Sequence, residues 1–282
     1  MTFVIPFPAI DPVLVEFGPF VIRWYALAYI TGILLGWRYM LSLAARQTGG
    51  PNARDIDDVV VWATLGTVLG GRLGYVLFYK PAYFLANPEA VLFVWQGGMS
   101  FHGGLLGVLA AVTLFARRRG IGLPGLADLV ACAAPIGLFL GRLANFINGE
   151  LWGRPSDVPW AMVFPRGGPL PRHPSQLYEA ALEGMVLFVG LWALWRLTKV
   201  RERPGFLFGA FLAGYGVSRL IVELFRQPDA HLGFILAGAT MGQLLSLPMI
   251  AAGLWLMARA KPAPAPAPAT KQRAAKRRAA KR

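Results

Sequence analysis

The chain alternates between long apolar stretches and short polar connections. Windows of about 20 apolar residues are typical of helices that cross a lipid bilayer. We expect membrane-spanning helices at Pro19–Leu41, Asp57–Tyr79, Leu92–Ala116, Pro124–Asn145, Gln176–Arg196, Pro204–Phe225 and Phe234–Met257. The third window is the weakest, because the glycine-rich sequence GGMSFHGG interrupts it. The pattern predicts an all-α, polytopic membrane protein with about seven transmembrane helices.

The composition supports this interpretation. Of the 282 residues, 56% are hydrophobic and 15% are charged, which is too apolar for a soluble domain of this size. A net charge of +14 would suggest a nucleic-acid partner in a soluble protein, but much of it falls in residues 261–282, which contain no acid. The single cysteine, Cys132, excludes an internal disulfide and a cysteine-based zinc site. We expect no nucleic-acid partner, no metal and no cofactor.

Lysine and arginine predict the orientation, because they are preferentially retained on the cytoplasmic side. They are concentrated after the first, third, fifth and seventh windows, and residues 1–22 contain none. We therefore predict an external N-terminus and a cytoplasmic C-terminus. Residues 1–260 form the predicted transmembrane domain, which would also hold any catalytic site. Residues 261–282 form a predicted disordered, Pro-Ala-rich basic cytoplasmic tail.

Arginines occur inside several windows, where an ionisable group is costly and marks a functional candidate. At about 1.5 Å per residue, Arg72, Arg142 and Arg219 lie about 22–27 Å from the inner ends of their helices. Arg23 and Tyr25 lie close to the outer face. This grouping at one depth favours a site for lipid headgroups over a transport pathway, which needs polar groups through the whole thickness. The alternative is arginines that extend to lipid phosphates without a further role, above all Arg23.

The most informative motif is GRLANFINGELWGR. On a helix, Arg142 and Asn145 share a face. Gly149 and Gly153 permit a turn that folds Glu150 back toward Arg142. We interpret the motif as an arginine that binds an anion, with amide and carboxylate partners that hold it in place. A salt bridge that only fixes the helix end is the alternative.

Two further motifs place polar groups on apolar helices. Tyr215, Arg219 and Glu223 are four residues apart and form one stripe. A guanidinium has five donors, so Glu223 can hold Arg219 while other N–H groups face a phosphate. Simple neutralisation of the pair is the alternative. Glu179 and Glu183 also share a face, and we expect them to be architectural rather than chemical.

His102 lies between two glycine pairs. Such pairs allow irregular backbone at membrane depth, which is tolerated where it lines a cavity or is buried in protein. The backbone N–H groups of Gly103 and Gly104 are candidates to open a helix N-terminus, a natural anion site. We therefore expect His102 to contact substrate or to act in catalysis. A structural histidine is the alternative.

These motifs together resemble the prolipoprotein diacylglyceryl transferase family. The matching segments are FHGGLLG at 101–107, GRLANFINGELWGRP at 141–155, HPSQLYEA at 173–180 and GYGVSRLIVELFRQPD at 214–229. The sequence RWYALAYI at 23–30 resembles the first helix of the family. The resemblance implies a multi-pass enzyme of the bacterial inner membrane that uses phosphatidylglycerol and a prolipoprotein with a lipobox cysteine. The thiol attacks the glyceryl carbon, a thioether forms and glycerol-1-phosphate leaves.

The resemblance also implies roles for the candidate residues. We assign Arg142 and Arg219 to the phosphate, and His102 to the general base for the thiol. Glu150, or the arginines alone, is the alternative to that base. The remaining candidates bind or position substrate: Tyr25, Gly103, Gly104, Asn145, Gly153, Tyr215 and Glu223. A transporter would need polar groups in the inner half of the membrane, and a non-catalytic scaffold gives no reason for arginines at one depth.

Overall fold

A computed structural model describes residues 5–8, 10–18, 20–47, 50–228, 233–235 and 238–262. In this part of the chain the helices are α1 (Trp24–Ala44), α2 (Ala53–Phe78), α3 (Pro81–Ala86), α4 (Phe101–Arg119), α5 (Leu123–Ile147), α6 (Ser175–Glu179), α7 (Leu187–Leu197), α8 (Phe206–Val222) and α9 (Met241–Arg259). A π-helical segment, Ala180–Val186, joins α6 to α7. The predicted tail lies outside the described residues from position 263 onward, so its disorder stays a prediction.

Each of the seven apolar windows contains a long helical stretch. Five of these are long and apolar enough to cross a membrane: α1, α2, α5, the continuous helix Ser175–Leu197, and α9. The α8 helix is apolar and has 17 residues, whereas α4 has 19 and ends in three arginines. The prediction of a helical membrane protein is confirmed. The count of seven spans and the orientation stay predictions.

The third window is shorter than predicted. Its helix, α4, begins at Phe101 rather than at Leu92. Gly97 and Gly98 have φ angles of 85° and 77°, which a helix does not accommodate. Ser100 then caps α4, because its side chain accepts a hydrogen bond from a backbone N–H of the first turn.

Short strands add to the helices, so the prediction of an exclusively helical chain is wrong in detail. Strand β2 (Val13–Phe17) pairs antiparallel with β3 (Phe20–Arg23), which places the start of α1 at Trp24 rather than at Pro19. Strand β1 (Ile5–Pro6) pairs in parallel with β4 (Met162–Val163). The β-branched residues in VLVEF and FVIR favour this extended backbone.

Glycines bring α2 and α4 into backbone contact. A Cβ at Gly103 would overlap the carbonyl oxygen of Gly70, and one at Gly107 would overlap that of Gly66. Small residues permit such close approach of membrane helices, where packing replaces the hydrophobic effect as the driving force. This contact fixes the start of α4, where His102 lies, against the end of α2.

The apolar core lies at one end of the helix bundle. It joins residues from the start of α2, the end of α4, the start of α5, the end of α7 and the start of α8: Ile56, Phe115, Leu126, Trp195 and Leu207. Asp128, also at this end, accepts hydrogen bonds from the backbone N–H groups of Gly205 at 2.8 Å and Phe208 at 2.7 Å. It therefore caps α8 from another helix and fixes the helix that carries Arg219.

Candidate functional site

Two arginines from separate helices meet at the opposite end of the bundle. Nε of Arg142, on α5, lies 2.7 Å from Oε2 of Glu179, and its Nη2 donates to Oε2 of Glu183 at 3.4 Å. Arg219, on α8, places Nη1 3.4 Å from Oε2 of Glu179 and 3.6 Å from Oε1 of Glu183. The two glutamates thus bring together the two arginines that the sequence motifs singled out.

Glu223 and Arg226 extend this group. Oε1 of Glu223 lies 2.6 Å from Nη2 of Arg219 and 3.4 Å from Nη1 of Arg226. Thr240 donates its hydroxyl to Oε2 of Glu223 at 2.7 Å, and Nε of Arg226 lies 3.8 Å from Oε1 of Glu179. We call the six charged residues the ion-pair cluster: Arg142, Glu179, Glu183, Arg219, Glu223 and Arg226. Its three arginines balance its three glutamates, so a fully ionised cluster is neutral.

The glutamate side chains of the cluster are more deeply buried than its arginine side chains. The side chains of Glu179 and Glu183 are 0% exposed, whereas those of Arg142 and Arg219 are 19% and 15% exposed. The ion-pair contacts to the glutamates are made by Nε and Nη2 of Arg142 and by Nη1 and Nη2 of Arg219, whereas a guanidinium has five N–H donors. Both arginines therefore retain donors for an additional anion.

Glu150 does not fold back onto Arg142, which corrects that prediction. Its Oε1 accepts hydrogen bonds from the side-chain amides of Asn145 at 2.8 Å and Asn148 at 3.2 Å. The predicted turn exists, since Gly149 has a φ of 61°. It directs the carboxylate to the amides, because the buried Glu179 of α6 and Glu183 of the π-helical segment already occupy the Arg142 guanidinium.

Two tyrosines border the cluster and the Glu150 group. Tyr25, near the start of α1, interacts with the side chains of Asn145 and Glu150. Its hydroxyl also lies 3.4 Å from that of Tyr29. Tyr215, one turn before Arg219, lies within electrostatic range of the cluster. Both tyrosines lie beside the polar groups that the sequence analysis assigned to the site.

Glu179 and Glu183 are the residues that sequence reasoning undervalued. We expected them to have an architectural rather than a chemical role, yet each contacts both Arg142 and Arg219. A signal was available, because two acidic residues four positions apart in an apolar helix meet the same criterion that singled out the arginines. What the sequence did not reveal is that they face those arginines rather than the connecting loop.

The π-helical segment Ala180–Val186 lies at this point of the chain. Single π-helical turns are rare and occur frequently at functional sites. Its Gly184 packs on α5 so closely that a Cβ there would lie 2.8 Å from the Cα of Phe139. The segment thus holds Glu183 against the helix that carries Arg142.

Arg72 has a different role from the one predicted by its depth. Its side chain is 6% exposed. It donates to backbone carbonyl oxygens of the segment before α4, and these five acceptors are Ala90, Val91, Phe93, Gly97 and Gly98. Because carbonyl oxygens engage all three of its guanidinium nitrogens, Arg72 fixes this segment and does not join the ion-pair cluster.

His102 lies in the first turn of α4 and is exposed. Its ring makes an edge contact with Phe101, and no described contact joins it to the ion-pair cluster. The N–H groups of Gly103 and Gly104 are not free for an anion, which corrects their proposed geometry. They donate to the side chain and to the carbonyl oxygen of Ser100, respectively. Roles for these three residues in substrate binding or catalysis stay predictions.

The loop after α5 is tied to the end of α8 through Gly153. A Cβ at Gly153 would lie 2.5 Å from the carbonyl oxygen of Phe225, so the position requires glycine for close approach. The neighbouring Arg154 donates to the carbonyl oxygens of Glu223 at 3.1 Å and Arg226 at 3.0 Å. The loop therefore packs directly beside the cluster.

His173, in the same loop, places Nδ1 3.0 Å from the hydroxyl of Tyr178. Partial burial lowers the pKa of the His173 imidazole below its usual value. Within the described ranges, no group of three or more His, Cys, Asp and Glu is arranged to hold a metal ion.

Apolar helices that are long enough to cross a membrane pack around a buried cluster of arginines and glutamates, which defines a multi-pass membrane protein. The sequence model of the family described as prolipoprotein diacylglyceryl transferase matches residues 12–259. The chain belongs to this family.

Relatives from three bacteria support the assignment, and each is named phosphatidylglycerol–prolipoprotein diacylglyceryl transferase. The protein of Paramagnetospirillum magneticum is 62% identical over 259 residues, which cover 92% of this chain and 96% of the relative. That of Rhodospirillum rubrum is 62% identical over 267 residues, covering 93% and 97%. That of Azospirillum brasilense is 62% identical over 260 residues, covering 91% and 97%.

Proposed function

We propose that this chain transfers the diacylglyceryl group of phosphatidylglycerol to the thiol of the lipobox cysteine of a prolipoprotein, the first step of bacterial lipoprotein maturation. Family membership and the names of the relatives support this reaction. The observation that carries the proposal is the meeting of Arg142 and Arg219, from two helices, on the shared carboxylate of Glu179. Both retain donors that match the phosphate of the lipid.

The reaction requires a nucleophile and a stabilised leaving group. The thiolate sulfur attacks the glyceryl carbon, the bond from that carbon to the phosphate oxygen breaks, and the oxygen keeps the electron pair. A thioether and glycerol-1-phosphate result. Arg142 and Arg219 would stabilise the charge that develops on the leaving phosphate, because fixed donors in a water-poor site need little rearrangement. No nucleophile of the enzyme is needed.

The thiol must also lose its proton. A cysteine thiol with a pKa of about 8.5 is only a few per cent ionised near neutral pH. We retain His102 as the proposed general base. Glu150 is less suited, because its Oε1 already accepts from Asn145 and Asn148. Asn145, Tyr25 and Glu150 would then position the headgroup, together with Gly153, while Tyr215 and Glu223 orient Arg219.

We further propose that the protein resides in the bacterial inner membrane with a periplasmic N-terminus and a cytoplasmic C-terminus. Residues 1–260 would form the catalytic domain, and residues 261–282 the basic cytoplasmic tail. The family match at residues 12–259 lies within the proposed domain. With this orientation the ion-pair cluster lies toward the outer leaflet, where the cysteine of an exported precursor arrives.

Reconstitution of the full chain in liposomes tests the proposal. Phosphatidylglycerol and a synthetic lipobox peptide should give a thioether product of the expected mass. A peptide with serine in place of the cysteine, and liposomes of phosphatidylethanolamine alone, serve as controls. Movement of labelled lipid between leaflets without any thioether product would contradict the transferase and indicate a transporter.

A further inference from the structure

Glu183 is the least compensated carboxylate of the ion-pair cluster. Its contacts are 3.4 Å to Nη2 of Arg142 and 3.6 Å to Nη1 of Arg219. Glu179, by contrast, has a 2.7 Å contact to Arg142 and longer ones to two further arginines. Glu223 has a 2.6 Å contact to Arg219 and accepts the hydroxyl of Thr240 at 2.7 Å. Glu183 is therefore the carboxylate that loses its counter-ions most easily.

The Glu183 carboxylate is also buried away from the protein surface. Its side chain is 0% exposed, and its Oε1 has no hydrogen-bond partner among the described residues. The adjoining Gly184 packs against Phe139 of α5, where there is no room for a Cβ. The backbone next to Glu183 therefore packs tightly against α5.

A bound phosphate diester changes the charge balance. Added to the three arginines and three ionised glutamates of the ion-pair cluster, its single negative charge leaves these groups at net −1. The phosphate would also turn toward itself the guanidinium groups that neutralise Glu183. A buried carboxylate without a counter-ion takes up a proton, because ionisation in an apolar surrounding is unfavourable.

We propose that Glu183 takes up one proton when the phosphate of phosphatidylglycerol binds Arg142 and Arg219. In the lipid-free enzyme Glu183 serves as an internal counter-ion, and in the complex the substrate phosphate replaces it. This inference rests on the function proposed above. It assigns Glu183 to substrate binding as a positioning residue that acts through the two arginines.

The neighbouring groups leave Glu183 as the proton acceptor. The titratable and charged groups that face it are Arg142 from α5, Glu179 from its own helix, and Arg219 and Tyr215 from α8. Arginines stay protonated and a neutral phenol does not accept a proton at ordinary pH. No histidine is among the described contacts of Glu183, and Glu179 keeps its short contact to Arg142.

The pH dependence of binding follows from linkage. Since the complex holds one more proton than the free enzyme, binding weakens as pH rises. The loss is about tenfold per pH unit between the pKa of Glu183 in the free enzyme and that in the complex. The phosphate diester and the glycerol of the headgroup do not titrate in this range, so the dependence originates in the protein.

Isothermal titration calorimetry provides the test. The purified full chain in detergent is titrated with dioctanoyl phosphatidylglycerol in two buffers of different protonation enthalpy, which yields the number of protons taken up. We expect about one proton for the wild type and close to none for Glu183→Gln. The affinity of Glu183→Gln should no longer fall with pH. Glu89→Gln, which removes an exposed carboxyl outside the cluster, should behave as the wild type.

Three results would overturn the inference. The first would be lipid binding by the wild type without proton uptake. The second would be uptake of one proton by Glu183→Gln, and the third would be loss of binding by a folded Glu183→Gln. The proposed transferase stands in each of these cases if thioether product forms, whereas absence of both lipid binding and product rejects the transferase itself. If Glu183→Gln does not fold, infrared difference spectra of wild-type enzyme with ¹³C-labelled glutamate decide. A new protonated-carboxyl band on lipid addition supports the inference, and its absence overturns it.

Discussion

Oε2 of Glu179 lies 2.7 Å from Nε of Arg142 and 3.4 Å from Nη1 of Arg219, so one carboxylate oxygen joins α5 and α8. At this contact both helices contribute an arginine, so α5 and α8 would repel each other here without a carboxylate between them. Glu179, at the end of α6, lies between the two cations and allows them to lie together in an apolar environment. The shared carboxylate offsets the repulsion between the two guanidinium groups.

Glu179→Gln should therefore lower both stability and activity. Removal of one partner from a buried ion pair leaves the other charges uncompensated, which typically costs about 3–5 kcal/mol. We expect a clear fall in the melting temperature of the detergent-solubilised protein and loss of most thioether formation. Glu89→Gln provides the matched control at an exposed position. A variant with wild-type melting temperature would show that the pairing does not stabilise the bundle.

Asp128→Ala should destabilise the protein although Asp128 lies far from the cluster along α5. It removes the acceptor for the backbone N–H groups of Gly205 and Phe208, which leaves buried donors without a partner. The expected cost is about 1–3 kcal/mol. Asp128→Asn retains an acceptor oxygen, so its melting temperature should lie between those of Asp128→Ala and the wild type. Equal melting temperatures for all three proteins would contradict the capping role.

Arg72→Lys distinguishes a structural arginine from a phosphate ligand. A lysine ammonium has three donors at one point and does not reproduce the contacts that Arg72 makes to five carbonyl oxygens. We expect lower stability and lower kcat with little change in KM for phosphatidylglycerol. A raised KM at unchanged stability would instead assign Arg72 to the headgroup.

His102→Gln should reduce turnover without affecting the fold. The side chain is exposed, and exposed substitutions usually change stability by no more than about 0.5 kcal/mol. General-base catalysis typically contributes about 10²- to 10⁴-fold, so kcat should fall within that range at neutral pH. Near-normal turnover in reconstituted membranes would remove His102 as the base.

Gly103→Ala should separate α2 from α4. The added Cβ would overlap the carbonyl oxygen of Gly70 and lie 2.9 Å from the Cα of Gly74. Overpacking of this kind costs about 1–3 kcal/mol. Gly125→Ala, where no atom lies within 4 Å of the added Cβ, is the matched control and should be neutral or stabilising. Equal melting temperatures for the two variants would contradict close backbone packing at Gly103.

Several features of the site could be predicted from the sequence for identifiable reasons. Arg142 and Arg219 stood out because a charged residue in an apolar window is rare. Gly149 marked a turn because a positive φ favours glycine. Glu223 follows Arg219 by one helical turn, which fixes their contact locally. Each of these predictions depends on residue types or spacing within one short segment of the chain.

The wrong predictions concerned contacts between elements. Depth along the helix grouped Arg72 with the other two arginines, but carbonyl oxygens of a distant segment take up its donors. Glu150 was expected to meet Arg142, and the amides of Asn145 and Asn148 bind it instead. Several groups can compete to pair with one charged side chain, and packing decides which of them does so. Spacing along the chain does not contain this information.

The sequence by itself determined that the chain is a helical membrane protein and which charged residues are unusual, because apolar length and charge frequency are properties of each segment alone. Only the tertiary structure decided that Glu179 and Glu183 hold Arg142 and Arg219 together. It also decided that Asp128 caps α8 and that Arg72 holds the segment before α4. In each case the partners lie on different elements, and the cost of leaving a buried charge or donor unpaired determines which of them meet.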